Sequence, residues 1–181
     1  GLVGSEMCIR DRIGRTFDGI CDDIIMLGNK LNSIISAKNH IDKAREKREI
    51  LKRQTKYDHR ILCLEWIDPY FSAGHWVPEQ IELAGFNSAI GQTGDQSRIL
   101  SADEIVDSDP YAIALICCGY NLEQNLTFSS QLFHDDRLNH LDPFKENRVY
   151  SFDADSYFSR PTTRILEGSI QLRSQILGNQ I

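Results

Sequence analysis

The sequence lacks any apolar run of about 18 residues, the length that a membrane-spanning helix needs. It also lacks an excess of positive charge, because 20 Lys and Arg stand against 26 Asp and Glu and the net charge is −6. Nucleic acids bind to positive protein surfaces, so this balance argues against a nucleic acid as the main partner. The composition therefore predicts a globular protein with no membrane span and no nucleic-acid partner.

Several motifs of enzymes and metalloproteins are absent as well. No G-x-S-x-G segment is present, and GQTGDQS at residues 91–97 lacks the lysine of a phosphate-binding loop, so an ordinary turn explains it better. The five cysteines have no metal-ligand spacing, and Cys117 and Cys118 lie in an apolar run that predicts small buried side chains. His134 and His140 lie with Asp135 and Asp136 in a polar loop that predicts a solvated surface. These patterns predict neither a catalytic set nor a metal site.

The first twelve residues, GLVGSEMCIRDR, have no hydrophobic periodicity and do not lead into the segment that follows. They resemble a translated sequencing-adapter scar, so we expect residues 1–12 to be foreign to the natural protein and exclude them from fold prediction. The features of a secretory signal are absent here. If the true start has been lost, that absence carries no information about export.

A long helical pattern comes next. Spacings of three and four residues separate most of its apolar positions, which are Ile20, Ile24, Leu27, Leu31, Ile34, Ile41, Ala44 and Leu51. This pattern predicts one helix over residues 18–54, about 50 Å long, or two helices with a kink near Asn39 and His40. Residues 38–60 carry nine Lys and Arg against four Asp and Glu, which is typical of a solvated helix face.

Beyond Lys56 short apolar runs alternate with amphipathic segments. The runs RILCLEW, YAIALICC and RVYSFD predict three buried strands. Helices are predicted between them, one ending near Gly85 and one opened by a capping box of Ser101 and Glu104, with a closing helix after Pro161. This order predicts an α/β fold, a three-layer lobe with a mainly parallel sheet over residues 57–181.

Aromatic and polar residues follow each predicted strand, at the sheet edge where open parallel sheets bind ligands. Aromatic walls with few polar groups favour a large, flat or partly apolar ligand. Packing of the core explains any single aromatic residue as well. The residues that follow the three strands are Glu65, Trp66, Asp68, Tyr70, Phe71, His75 and Trp76; Gly119 and Tyr120; and Asp153, Asp155, Tyr157, Phe158 and Arg160.

Three segments carry a resemblance: LCLEWIDPYFSAGHWVPEQIELAGF, DEIVDSDPYAIALICCGYNLE and NRVYSFDADSYFSRPTTRILEG. They resemble the C-terminal lobe of the solute-binding proteins that serve ABC importers of vitamin B12 and iron-siderophores, nearest the cobalamin-binding members. In that family a long helix joins two α/β lobes and the ligand lies between them. The resemblance implies that residues 13–56 are the interlobe helix and residues 57–181 the C-terminal lobe. It also implies that the N-terminal lobe is missing and that the bare helix exposes an apolar stripe.

The resemblance implies a protein without enzymatic activity or cofactor. Such a protein captures cobalamin, or another large metal chelate such as an iron-siderophore or haem, and delivers it to a membrane permease from a periplasmic or other extracytoplasmic location. A small α/β enzyme using Glu65, Asp68 and His75 as acid/base groups is the alternative, and a structural module is a third. The predicted ligand-binding residues are Glu65, Trp66, Tyr70, Phe71, His75, Trp76, Tyr120, Tyr157, Phe158 and Arg160.

Overall fold

The structure is a computed structural model, and it describes residues 14–178. The segment 1–12, predicted to be foreign, lies outside the described residues. Within residues 14–178 no helix combines the length and apolar character needed to cross a membrane.

The pattern predicted as one long helix forms two helices, α1 (Phe17–Lys30) and α2 (Ile34–Lys52). The prediction of one helix over residues 18–54 is therefore wrong, and so is the predicted kink, because Asn39 and His40 lie inside α2. Asn32 ends the first helix with a φ of 52°, a left-handed conformation that asparagine tolerates. The apolar spacing continues across this break, which explains why periodicity does not reveal it.

The two helices pack against each other as an antiparallel hairpin. At the turn, a Cβ on Gly28 would lie 2.5 Å from the Cβ of Ala37. At the open end, the guanidinium of Arg48 lies 4.8 Å from the ring centroid of Phe17 and 3.4 Å from the carboxylate of Asp18. The longer helix, α2, spans about 28 Å instead of the predicted 50 Å.

A mainly parallel sheet forms the centre of the lobe. The strands β1 (Arg60–Ile67), β4 (Ala112–Leu115) and β5 (Val149–Ser151) run parallel and lie side by side in that order. Two short strands pair with the other edge of β1, namely β2 (Tyr70–Ser72) in antiparallel and β3 (Asn87–Ser88) in parallel orientation. The three predicted strands are confirmed, and β2 is a hairpin return that the apolar pattern does not predict.

Helices cover both faces of the sheet. They are α3 (Val77–Leu83), α4 (Ala102–Asp107), α5 (Leu122–Ser129), α6 (Asp142–Lys145), α7 (Ala154–Tyr157) and α8 (Ile165–Ile176). Gly85 follows α3 with a φ of 92°, and Ser101 and Glu104 form the predicted capping box, so both predicted helix boundaries are confirmed. The short 3₁₀ turn Leu132–His134 lies between α5 and α6.

The sheet separates two hydrophobic clusters. Ile61 and Cys63 of β1 pack against the helical hairpin, α3 and α8. Even-numbered residues, such as Leu62 and Leu64, pack against α4 and the loops around the 3₁₀ turn. This alternation follows from the strand period of two. The predicted α/β fold with three layers is confirmed, and the hairpin shares its core with the lobe.

Candidate functional site

A cavity of about 370 Å³ lies at the carboxyl edge of β1 and β4, and we call it the edge cavity. This is the edge at which open α/β sheets bind ligands. Its walls come from the start of the hairpin, the end of β1, the loop before α3, the end of β4 and the segment after α7. The lining residues are Arg15, Glu65, His75, Trp76, Ile116, Cys118, Phe158, Ser159 and Pro161.

Glu65 supplies a carboxylate to the edge cavity near the end of β1. One of its oxygens accepts a hydrogen bond from the Ser97 hydroxyl at 2.6 Å, and the other lies 3.5 Å from the backbone nitrogen of Gly74. Ser97 ends the GQTGDQS turn, which therefore has a role in positioning Glu65 that its sequence did not indicate. The carboxylate is held in place and is half-buried.

His75 is held by its backbone. Its φ is 57°, its N–H donates to the carbonyl of Asp95 at 2.7 Å, and its own carbonyl accepts from the N–H of Gly94 at 2.8 Å. The GQTGDQS turn thus fixes the histidine backbone from both sides. The imidazole ring lies 5.8 Å from the Trp76 ring, and the two rings form adjoining parts of the cavity wall.

Trp76 and Phe158 form the rigid apolar wall of the edge cavity. Both are buried, and the indole Nε1–H of Trp76 donates to the carbonyl of Phe158 at 2.9 Å. The Phe158 ring also packs edge-on against Phe152 at a centroid distance of 5.6 Å. The two aromatics therefore pack in the core and line the cavity at the same time.

Trp66 and Tyr120 lie apart from the edge cavity. Their rings pack at 5.3 Å, and each contacts Phe128 of α5, at 5.2 and 5.6 Å. This cluster belongs to the other face of the sheet, because Trp66 packs against the hydrophobic cluster that contains Leu62 and Leu64. A separate shallow cavity of about 360 Å³ includes Tyr120 and Phe128 in its lining.

Tyr70 is engaged elsewhere as well. Its hydroxyl donates to the carboxylate of Asp135, which also pairs with Arg137 at 2.6 Å. The hydrogen bond from the Arg137 guanidinium holds the pKa of Asp135 well below its usual range, and burial raises the pKa of Tyr70. Asp135 was predicted to be merely solvated, so this network is a correction. The same region forms a cavity that also includes Asp68.

The remaining predicted residues do not line the edge cavity. Phe71 lies in β2 and forms a bridge with Ile99. The Tyr157 carbonyl accepts from the side-chain amide of Gln80 at 3.0 Å. Arg160 is exposed, and its guanidinium pairs with Asp155 at 2.6 Å. The structure thus brings four of the ten predicted residues into one cavity and distributes the other six around it.

Some cavity residues were not identified from the sequence. Arg15 precedes the predicted helix, in a stretch without any pattern. Cys118 is exposed at the end of β4, so the prediction that both adjacent cysteines are buried is wrong for this residue. Cys117 is buried, and burial raises the pKa of its thiol to about 12. The strand period of two provides the missing signal, because neighbouring residues leave opposite faces of the sheet.

The edge cavity offers an apolar wall, one held carboxylate, an imidazole and a guanidinium. Among residues 14–178 no group of three or more His, Cys, Asp or Glu side chains is placed to hold a metal ion. Asp68 lines a different cavity from Glu65 and His75, so the three residues proposed for acid/base chemistry do not share a site. This arrangement suits noncovalent binding of a partly apolar molecule.

Known proteins resemble the chain at the level of family and fold. A family model described as periplasmic binding protein matches residues 10–156. No curated protein sequence matches the chain.

Solved structures match over nearly all of this chain. The ABC transporter substrate-binding protein from Listeria monocytogenes EGD-e is 18% identical with a TM-score of 0.79, and 91% of this chain covers 66% of it. Staphylococcus aureus IsdE complexed with heme is 19% identical with a TM-score of 0.73, and the match covers 89% of this chain and 65% of IsdE. The periplasmic vitamin B12 binding protein BtuF of Vibrio cholerae is 17% identical with a TM-score of 0.67, and the match covers 93% of this chain and 64% of BtuF. At these identities the likeness establishes the fold, and the chain spans 64 to 66% of the length of these structures.

Proposed function

The chain belongs to the periplasmic binding protein family, and from this premise we propose that it binds a solute for an ABC importer. The observation that carries the proposal is the edge cavity, where a rigid aromatic wall meets a few fixed polar groups at the carboxyl ends of parallel strands. Aromatic side chains supply contact area at a small cost in side-chain entropy. The site is therefore suited to capture and release of a ligand rather than to its conversion.

We propose a large metal chelate as the ligand, namely a corrinoid, a haem or an iron-siderophore. The resemblance of the motif segments to cobalamin-binding members supports this class, and so do the solved relatives that bind vitamin B12 or heme. A volume of about 370 Å³ lies near the lower end of the range for ligand sites. The cavity would therefore receive one face or one substituent of such a chelate, and the rest of the chelate would contact residues outside the cavity.

The ten predicted ligand-binding residues fall into two groups under this proposal. Glu65, His75, Trp76 and Phe158 form the primary contact surface, since all four line the edge cavity. The other six would contact the ligand only if it extends beyond the cavity. These are Trp66, Tyr70, Phe71, Tyr120, Tyr157 and Arg160.

The proposed partner is a membrane permease, and the proposed location is periplasmic or otherwise extracytoplasmic. Family membership supports both. The enzymatic alternative is weakened because Asp68 lies away from Glu65 and His75. The purely structural alternative predicts that cavity substitutions change stability alone.

The proposal is tested by calorimetric titration of the chain with cyanocobalamin, haemin and a ferric hydroxamate. His75→Asn removes the imidazole and keeps a residue that tolerates the left-handed backbone. The matched control is His134→Asn, an exposed position in a different cavity. We expect one chelate to bind and His75→Asn alone to weaken it about tenfold, or about 1.4 kcal/mol. Absence of binding to all three, or equal weakening by both variants, would contradict the proposal.

A further inference from the structure

Arg15 supplies the guanidinium group among the residues that line the edge cavity. It is exposed, and its guanidinium makes no hydrogen bond or ion pair with any residue in the described range 14–178. Glu65, the acidic group of the cavity, is already engaged by Ser97 at 2.6 Å. An uncompensated guanidinium beside apolar walls is a favourable partner for an anionic group on a ligand.

The attachment point of Arg15 is fixed by its chain neighbours. The Thr16 hydroxyl accepts from the N–H of Gly19 at 3.1 Å and caps α1. The N–H of Phe17 donates to the buried carboxylate of Glu79 at 3.0 Å, and the Phe17 ring is fully buried. These contacts anchor the backbone directly after Arg15 to the lobe. The backbone of Arg15 is therefore fixed beside the cavity, and its exposed side chain forms part of the lining.

We propose that Arg15 binds an anionic substituent of the ligand while the apolar body of that ligand lies against Trp76 and Phe158. The inference rests on the proposed function and narrows the ligand class to molecules that combine an apolar ring system with a carboxylate, sulfonate or phosphate group. A bidentate guanidinium contact recognises the planar or tetrahedral arrangement of such oxygens. Arg15 then contributes to the choice among chelates.

The test uses two fluorescent probes that share one ring system. 8-Anilinonaphthalene-1-sulfonate carries a sulfonate, and N-phenyl-1-naphthylamine has the same aromatic body without charge. Both are titrated into the full chain and into Arg15→Gln, Arg15→Lys and Arg53→Gln. Arg53 is the matched control because it is exposed at the end of α2 and does not line the edge cavity.

We expect Arg15→Gln to weaken the sulfonate probe about five- to tenfold at low salt, with the neutral probe unchanged. Arg15→Lys should retain part of the affinity, because charge is kept and the bidentate geometry is lost. Arg53→Gln should change neither probe. Salt should weaken the effect, since the guanidinium is exposed. Unchanged sulfonate binding in Arg15→Gln, or equal weakening of both probes, would overturn the inference.

The two proposals fail in different ways. If the probes behave as expected and no chelate binds, the anion contact stands and the proposed importer ligand is wrong. If a chelate binds equally well to the wild-type chain and to Arg15→Gln, the solute-binding function stands and the role of Arg15 is wrong.

Discussion

Replacing Glu79 with alanine tests whether the helical hairpin is fixed to the lobe. Glu79 lies in the first turn of α3 and is 6% exposed. Its carboxylate pairs with Arg48 of α2 and accepts from the N–H of Phe17 at the start of α1. One side chain therefore joins three helices.

The expected cost follows from what the substitution leaves behind. Within the described range Arg48 would keep Asp18, at 3.4 Å, as its ion-pair partner and the Phe17 ring as its cation–π contact, and its buried Nε already has no hydrogen-bond partner. Removing one partner of a buried pair costs about 3–5 kcal/mol. The Arg48 side chain is 19% exposed, so water compensates part of the loss and we expect about 3 kcal/mol. For a chain of this length that corresponds to a decrease of roughly 6–12 °C in Tm.

Urea denaturation followed by circular dichroism measures the free energy of unfolding. The control is Glu49→Ala, because Glu49 pairs with Lys52 at 2.8 Å on the exposed face of α2 and such pairs contribute less than about 1 kcal/mol. Replacing both members of the buried pair, Arg48→Met with Glu79→Leu, should recover only part of the loss, because the N–H of Phe17 still lacks its acceptor. A cost for Glu79→Ala no larger than that for Glu49→Ala would refute the docking of the hairpin and, with it, the anchoring of Arg15.

Three further predictions concern the lobe itself. Gly168→Ala should lower the free energy of unfolding by about 1–3 kcal/mol, because the new Cβ would lie 2.3 Å from the amide nitrogen of Gln80, and unchanged stability in a urea titration would contradict this. Asp135→Asn should destabilise the protein at pH 7 with a difference that shrinks below about pH 4, the usual carboxyl value. Arg137 lowers the pKa of Asp135 in the folded state, so the stabilisation by Asp135 is complete above the usual carboxyl pKa and is lost as the pH falls through the folded-state pKa. A stability difference between the two proteins that stays constant from pH 7 to 3 would disprove the pairing. A thiol reagent should modify Cys118 faster than the three buried cysteines of the described range, and a bound chelate should slow that reaction.

The elements of the lobe could be predicted because local signals agree with the global fold. Strand β1 is a short apolar run, and Ser101 and Glu104 have the spacing of a capping box. Gly85 is the residue type that a left-handed helix end favours. The hairpin could not be predicted from periodicity. Its apolar residues keep helical spacing through the turn, and the single asparagine that ends α1 is a weak signal by itself.

The ten predicted ligand-binding residues follow the predicted strands, and four of them line the edge cavity. Sequence order shows that Glu65 and Trp66 both end a strand. The strand period of two predicts that their side chains leave opposite faces of the sheet, but it does not show which face carries the cavity. Arg15 is placed at the cavity because the N–H of Phe17, two residues later, donates to Glu79, 62 positions along the chain, and such tertiary placement leaves no local trace.

The common core of hairpin and lobe has a consequence for modularity. The helical pattern of the sequence gives way near position 57 to alternating strands and helices. A boundary at this position nevertheless divides a continuous hydrophobic cluster. A cut there would remove six buried side chains that pack with β1, α3 and α8, namely Phe17, Ile20, Cys21, Ile41, Ala44 and Leu51. The smallest portable unit of this protein is therefore hairpin plus lobe. Recombination that exchanges ligand preference between relatives should join the chains upstream of α1, where the transferred piece carries its own core and its own Arg15.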